Sequence, residues 1–144
     1  LDRVVLIGTP IGPEVGRSLA IKLWVWLLEH SPTEVFFNAV ATLIYGESFL
    51  KANQPLFPGM VKKMDRQKSQ RERLLPLFKA SERWENDYSN LIAAWNKPLL
   101  AIIGESDALV SPSVLRQMKS INPNVVTELV QDSGHTVNIE QPEW

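Results

Sequence analysis

The sequence has no cysteine, which excludes disulfide staples, thiolate metal sites and a cysteine nucleophile within these 144 residues. It also has no marked excess of charge. Fifteen basic and 16 acidic residues leave a formal net charge of −1, which steers the chain toward neither nucleic acid nor an anionic membrane. Long apolar runs are missing as well. The most apolar continuous stretch, Leu23 to Leu28, is fenced by Lys22 and Glu29 and falls far short of the roughly 20 residues that span a bilayer. The N-terminus lacks the basic start, apolar run and small-residue cleavage site of a secretory signal. These absences lead to the expectation of a soluble, cytoplasmic protein with no nucleic-acid or membrane partner. With 44% hydrophobic residues, the chain has the size and composition to bury a proper core; a domain of this length hides roughly 70% of its unfolded surface.

Three short apolar runs read as strands. LDRVVLIG, at Leu1 to Gly8, has four consecutive apolar residues ended by Gly8 and Pro10, which suits a parallel strand buried on both faces. PLLAIIG at Pro98 to Gly104 reads the same way, and VVTELV at Val125 to Val130 less purely. Between the last two, Ser111 as N-cap and Pro112 at the first helical position open a helix with Leu115, Met118 and Ile121 on one face. Strand, helix, strand is the parallel crossover of an α/β sheet.

From Ile11 to Glu85 the pattern becomes helical. Arg17 to Glu29 is an apolar helix containing Trp24 and Trp26, and Ser31-Pro32-Thr33-Glu34 reads as a capping box opening the next helix. Asn53 to Gly59, with Pro55 and Pro58, reads as a break, and Val61 to Lys79 as a charged helix interrupted near Pro76. Trp84, Tyr88, Leu91, Ile92 and Trp95 recur at helical spacing. An all-helical insertion between two parallel strands is most simply a lid over the carboxyl ends of the sheet, where open α/β sheets bind their ligands.

Chemistry concentrates in two loops that follow strands. The first, Gly104 to Pro112, holds Asp107; the second, Asp132 to Pro142, holds His135. The separation of 28 positions accommodates one helix and one strand, so both side chains fall beyond the carboxyl ends of neighbouring strands. A carboxylate that accepts the Nδ1–H of an imidazole fixes the tautomer, leaves Nε2 as general base and stabilises the imidazolium. Histidine suits that role because its unperturbed pKa of about 6.5 lies near working pH.

Lys97 to Asp107 (KPLLAIIGESD) followed by Gly134 to Glu143 (GHTVNIEQPE) resembles the last third of α/β-hydrolases. In that family the acid follows the seventh strand, the histidine follows the eighth, and the chain order is nucleophile, acid, histidine. The opening LDRVVLIGTPIG resembles the family's sixth strand. The resemblance implies hydrolase core at 1–12, a variable helical cap at 13–85, and the acid- and histidine-bearing core at 86–144. It implies Asp107 and His135 as catalytic residues, with no cofactor and no metal. No G-x-S-x-G occurs anywhere in the chain, and the glycine-rich oxyanion loop is missing too. Leu1 in place of methionine, running straight into a strand pattern, and a stop at Trp144 where a helix should begin lead to the expectation of a piece of a longer chain.

Other readings stand beside this one. Asp107 alone is a common turn residue, and His135 alone a loop histidine beside a glycine; strand context and order together favour the catalytic pair. Ser106, in Gly104-Glu105-Ser106-Asp107-Ala108, mimics a nucleophile elbow but sits next to the proposed acid, and Ser48 has no strand before it. A metal site from Asp107, Asp132, His135 and Glu140 lacks a second histidine and helical His-x-x-x-His spacing. His30 ends an apolar helix and suits its C-terminal dipole. The tryptophans and phenylalanines of 24–57 either line an apolar cavity or hold the helices together. Lys62, Lys63, Arg66, Lys68, Arg71 and Arg73, interleaved with Asp65 and Glu72, read as a solvated helix face.

The expectation is therefore an α/β fold, the C-terminal part of a hydrolase sheet: three parallel strands with flanking helices and an inserted helical cap. The resemblance implies an esterase-like parent acting on a small substrate with an apolar group. Epoxide, haloalkane and carbon–carbon bond hydrolases share the same acid and histidine positions. A hydrolase-fold ligand receptor, or a non-catalytic fragment, remain alternatives. An unpaired edge at the strand 4–7 further suggests self-association.

Overall fold

The computed structural model describes residues 2–84 and 86–143, without the side chains of 68–71. Leu1, Glu85 and Trp144, which the sequence reading places at segment ends, lie outside the described residues, as do the side chains of Lys68 and Arg71 in the charged run.

Strands β1 (Val4–Ile7), β2 (Leu99–Gly104) and β3 (Val126–Val130) form one parallel sheet in the order β1-β2-β3. Val4 lies beside Leu99 and Ile7 beside Ile102; Leu100 lies beside Val126 and Gly104 beside Val130. Side chains alternate across the sheet. Val4, Leu6, Leu99, Ala101, Ile103 and Val125 face the main core, whereas Ile102, Val130 and Leu100 pack with Val137 on the opposite face.

The expectation that β1 is buried on both faces is corrected by the structure. Val5 is 54% and Ile7 40% exposed, because β1 pairs only with β2 and nothing among the described residues covers that side. The apolar run records a demand for cover on both faces; these residues meet it on one.

Six helices separate β1 from β2: α1 (Val15–His30), α2 (Thr33–Ile44), α3 (Glu47–Asn53), α4 (Phe57–Arg66), α5 (Lys68–Glu82) and α6 (Ser89–Ala94). Helix α1 packs on α2 and α5, with Trp24 against Phe78 at 5.7 Å and Phe36 against the same ring at 6.2 Å. Several local expectations shift. The Ser31 hydroxyl turns back to the Leu27 carbonyl at 2.6 Å, closing α1, so Pro32 precedes α2 instead of lying inside it. Pro55 and Pro58 do not break the chain. They occupy first-turn positions of a 3₁₀ turn (Gln54–Leu56) and of α4, where a missing N–H costs nothing. The real interruption is at Gln67, and Pro76 lies inside α5, where it has no N–H to offer the carbonyl of the exposed Glu72. Trp84 and Tyr88 precede α6 instead of belonging to a longer helix, joined by Trp84 Nε1 donating to the Tyr88 hydroxyl at 3.2 Å.

After β2, α7 (Ser113–Ile121) buries Val114, Leu115 and Met118. It begins one residue later than the sequence suggests, and Ser111 Oγ accepts the Ser113 N–H at 3.3 Å. Asn122 locks its far end, donating to the carbonyls of Ile92 (2.9 Å) and Trp95 (2.8 Å). The loop after β3 contains a short helix, α8 (Val137–Glu140). No helix among the described residues is long and apolar enough to cross a membrane.

Candidate active site

β2 ends at Gly104 and the chain turns, the Asp107 N–H returning to the Gly104 carbonyl at 3.2 Å. This tucks the Asp107 side chain fully out of solvent. A buried carboxylate needs partners, and Asp107 has three: Oδ1 accepts the N–H groups of Leu109 and Val110, both at 2.9 Å, and Oδ2 accepts Nδ1–H of His135 at 2.9 Å. The carboxylate has no hydrogen to give, so Nδ1 carries the proton and Nε2 is left as the free nitrogen. Nε2 makes no hydrogen bond among the described residues.

His135 is placed by backbone on three sides. Its own N–H donates to the Ile44 carbonyl at the end of α2, at 2.9 Å. Gly8, just past β1, lies against the ring in a left-handed conformation with φ of 55°, so no Cβ separates the strand end from the imidazole. Gly134 is wedged between Gly104 and the turn before α3. A Cβ on Gly134 would come within 2.6 Å of the Gly46 nitrogen, and one on Gly104 would collide with the Gly134 and Ser133 carbonyls.

Glu140 ties these pieces together. Its Oε2 accepts the N–H of Gly46 (2.7 Å) and of Gly134 (2.9 Å), and its Oε1 accepts the N–H (3.1 Å) and hydroxyl (3.0 Å) of Thr136. It is the last residue of α8.

The remaining residues singled out from sequence fall elsewhere. Ser106 is exposed, its N–H held by the Ser133 carbonyl at 2.9 Å, and no hydrogen bond joins it to His135. Ser48 is exposed in the first turn of α3. His30 ends α1, stacked on Trp26 at 5.1 Å, with Nδ1 at 2.9 Å from the Trp26 carbonyl. No group of three or more histidines and carboxylates among the described residues could hold a metal. Of the tryptophans with two readings, Trp24 serves both, buried in the core and lining a cavity, whereas Trp26 points outward.

That cavity, about 200 Å³, is walled by His135 and Gly8 on the sheet side and by Arg17, Trp24 and Phe78 on the helical side. Glu14, nearby on the approach to α1, has its pKa raised by burial, with Arg17 opposing and Asp107 adding to the rise. Gly8, Arg17 and Glu140 escaped the sequence reading. Only Glu140 left a local signal, a carboxylate four residues after Thr136 at the start of a helix; the other two act across long sequence separations.

The acid–histidine pair lies beyond the carboxyl ends of adjacent parallel strands, beside the helical segment inserted between β1 and β2. The chain belongs to the α/β-hydrolase family: a family model described as alpha/beta hydrolase fold matches residues 1–142. No curated protein matches the sequence. Among solved structures, 99% of the chain superposes on MGS-M2, an α/β-hydrolase enzyme from a Medee basin deep-sea metagenome library, with a TM-score of 0.86 at 16% identity. It superposes to the same extent on a thermophilic esterase from Thermogutta terrifontis (TM-score 0.75, 18% identity). The enol-lactonase from Burkholderia xenovorans LB400 gives a TM-score of 0.74 at 17% identity, again over 99% of the chain. In each case this chain spans 52% of the other structure's length.

Proposed function

We propose that this chain supplies the acid, Asp107, and the base, His135, of a nucleophile–histidine–acid triad in an ester-cleaving hydrolase. The observation that carries the reading is the 2.9 Å bond from His135 Nδ1 to a carboxylate whose other oxygen is already held by two backbone N–H groups. That carboxylate cannot rotate away, so the imidazole keeps one tautomer and presents Nε2 as the base. Asp107 then stabilises the imidazolium formed when the nucleophile or hydrolytic water loses its proton.

Since the chain has no G-x-S-x-G, the nucleophile comes from outside these residues, upstream in the order nucleophile, acid, histidine. Residues 1–12 and 86–144 act as hydrolase core and 13–85 as the cap, which closes an apolar cavity over His135. Two of the superposed structures are an esterase and an enol-lactonase, which supports carboxylic-ester chemistry over epoxide, haloalkane or carbon–carbon cleavage. The lack of cysteine fits a reducing compartment, and we place the protein in the cytoplasm.

The test uses the full-length protein with p-nitrophenyl esters. Asp107→Asn should keep the fold and lower turnover about 10⁴-fold through loss of the correct tautomer. His135→Ala should cost at least as much, and the double variant no more than the worse single, because the two act as one unit. Losses that multiply would show that the residues work apart. An intact protein with no turnover on any ester would leave a hydrolase-fold ligand receptor in place of the enzyme.

A further inference from the structure

Arg17, in the first turn of α1, is half-buried, and two of its guanidinium nitrogens lack the partners they ordinarily have. Its Cζ lies 4.5 Å from the centroid of the Trp84 ring, yet Nε and Nη2 are buried with no hydrogen-bond partner. No carboxylate among the described residues forms an ion pair with it; the pairs present are Lys51–Glu47, Lys79–Glu29, Lys97–Asp2 and His135–Asp107. Stacking on tryptophan satisfies the face of the guanidinium, not its edge. Burial lowers the Arg17 pKa from its ordinary value, with Glu14 opposing. The group nevertheless stays protonated, so a charge with unused donors is held out of water.

Those donors sit beside the proposed catalytic base. Arg17 shares with His135 the cavity of about 200 Å³. With Pro10 and Ser81 it also borders a second hollow of about 370 Å³, so the two spaces adjoin at this side chain. Trp24, on the wall of the first cavity, likewise has its Nε1 buried with no acceptor. The rest of that wall is largely apolar, with Ile21, Phe78, Leu109 and Val110. A molecule that satisfies this lining has an apolar middle, a reacting group at His135, and oxygen acceptors with negative charge at the far end.

We propose that Arg17, assisted by Trp24, is a specificity-determining residue that binds a free carboxylate on the substrate, so that the substrate class is an ester carrying a second, ionised carboxyl group. This rests on the reading of His135 as the base of an ester hydrolase. The planar guanidinium edge matches a carboxylate with two parallel N–H···O bonds, and the shielded setting strengthens them. An ester with an uncharged end leaves the donors unpaired and binds more weakly.

The experiment measures binding by calorimetry in full-length protein carrying His135→Ala, so that ligands are not consumed. The probes are monomethyl glutarate, with a free carboxylate, and dimethyl glutarate, without one. Adding Arg17→Met should weaken monomethyl glutarate about 10- to 100-fold and leave dimethyl glutarate unchanged. Arg17→Lys, which keeps the charge and loses the fork, should fall between. In protein retaining His135, Arg17→Met should raise KM for monomethyl glutarate while kcat holds. If Arg17-dependent selectivity appears but neither ester is turned over, the subsite stands and the hydrolase reading fails. If both esters are turned over and Arg17→Met affects both alike or neither, the hydrolase reading stands and the subsite is overturned. Failure of monomethyl glutarate to bind overturns it too. So does a fall in thermal midpoint with equal weakening of both ligands, because the guanidinium then serves the fold.

Discussion

Gly8 and His135 are in direct contact: a Cβ built on Gly8 would lie 2.9 Å from both Nδ1 and Cε1 of the imidazole. The strand end thus serves as a wall for the ring, beside the nitrogen that bonds Asp107. A side chain there would push the ring off the carboxylate, and the φ of 55° penalises any L-residue besides. Gly8→Ala should therefore destabilise the protein by about 1–2 kcal/mol from backbone conformation alone and lower activity further by displacing His135. Activity assays, combined with the downfield proton resonance of the His–Asp bond, test this. Wild-type activity with an unshifted resonance would show that the ring does not need the wall.

Glu140 carries a second expectation. Each of its oxygens faces at least one backbone N–H, from Gly46 and Gly134 on one side and Thr136 on the other. Glu140→Gln puts an amide NH₂ against one of those donors whichever way it turns, and removes the charge from four hydrogen bonds. The expected loss is about 1.5–3 kcal/mol, the usual worth of a hydrogen bond to a charged group. Denaturant midpoints measure it directly, and an unchanged midpoint would remove Glu140 from its anchoring role.

Stability should also respond to pH through Glu14, whose folded pKa is raised above 4.5, chiefly by burial. The folded state then holds a proton that the unfolded state has released. The contribution is fully present below pH 4.5 and is lost as pH rises through the elevated folded value. Glu14→Gln should flatten that decline. Because Glu14 is only partly buried, the effect is small and screened by salt. Unfolding midpoints of both proteins across that window, at low salt, decide the sign; a steeper decline in the variant would contradict it.

The open side of β1 gives a prediction for the 144-residue chain by itself. Val5 and Ile7 are exposed on a strand paired on one side only, a surface that tends to recruit another chain. The isolated chain should self-associate, and Val5→Lys, placing a charge on that edge strand, should reduce the association. Light scattering against concentration settles the matter. A monodisperse wild-type chain would mean that the edge is closed by other means.

Much of this was legible in the sequence. Leu99 to Gly104 reads as a buried strand because nothing polar interrupts it, and Asp107 and His135 stand out because each follows a strand within a few residues. Those are local signals. Exposure of Val5 was legible only through the family resemblance, which leaves the edge at 4–7 unpaired; the apolar run by itself states what a strand requires of its neighbours, not whether the neighbours are present. Pro55 and Pro58 misled because a proline that opens a helix is the same residue as one that breaks it; only the hydrogen bonds around it differ. Arg17 looked like an ordinary polar start to a helix. Its two unpartnered donors arise only when Trp84, Ser81 and His135 close around it, from points far along the chain.

Gly46, Gly134 and Gly104 bring three stretches of main chain into contact with no side chain between them, and the bond from His135 N–H to the Ile44 carbonyl runs alongside. Mechanically the stack is a rivet with almost no compliance. Any shift of the turn between α2 and α3 relative to the sheet must carry the imidazole with it. A change of fit at residues 44–46 would therefore displace the proposed base, whereas α4 and α5 lie away from the rivet.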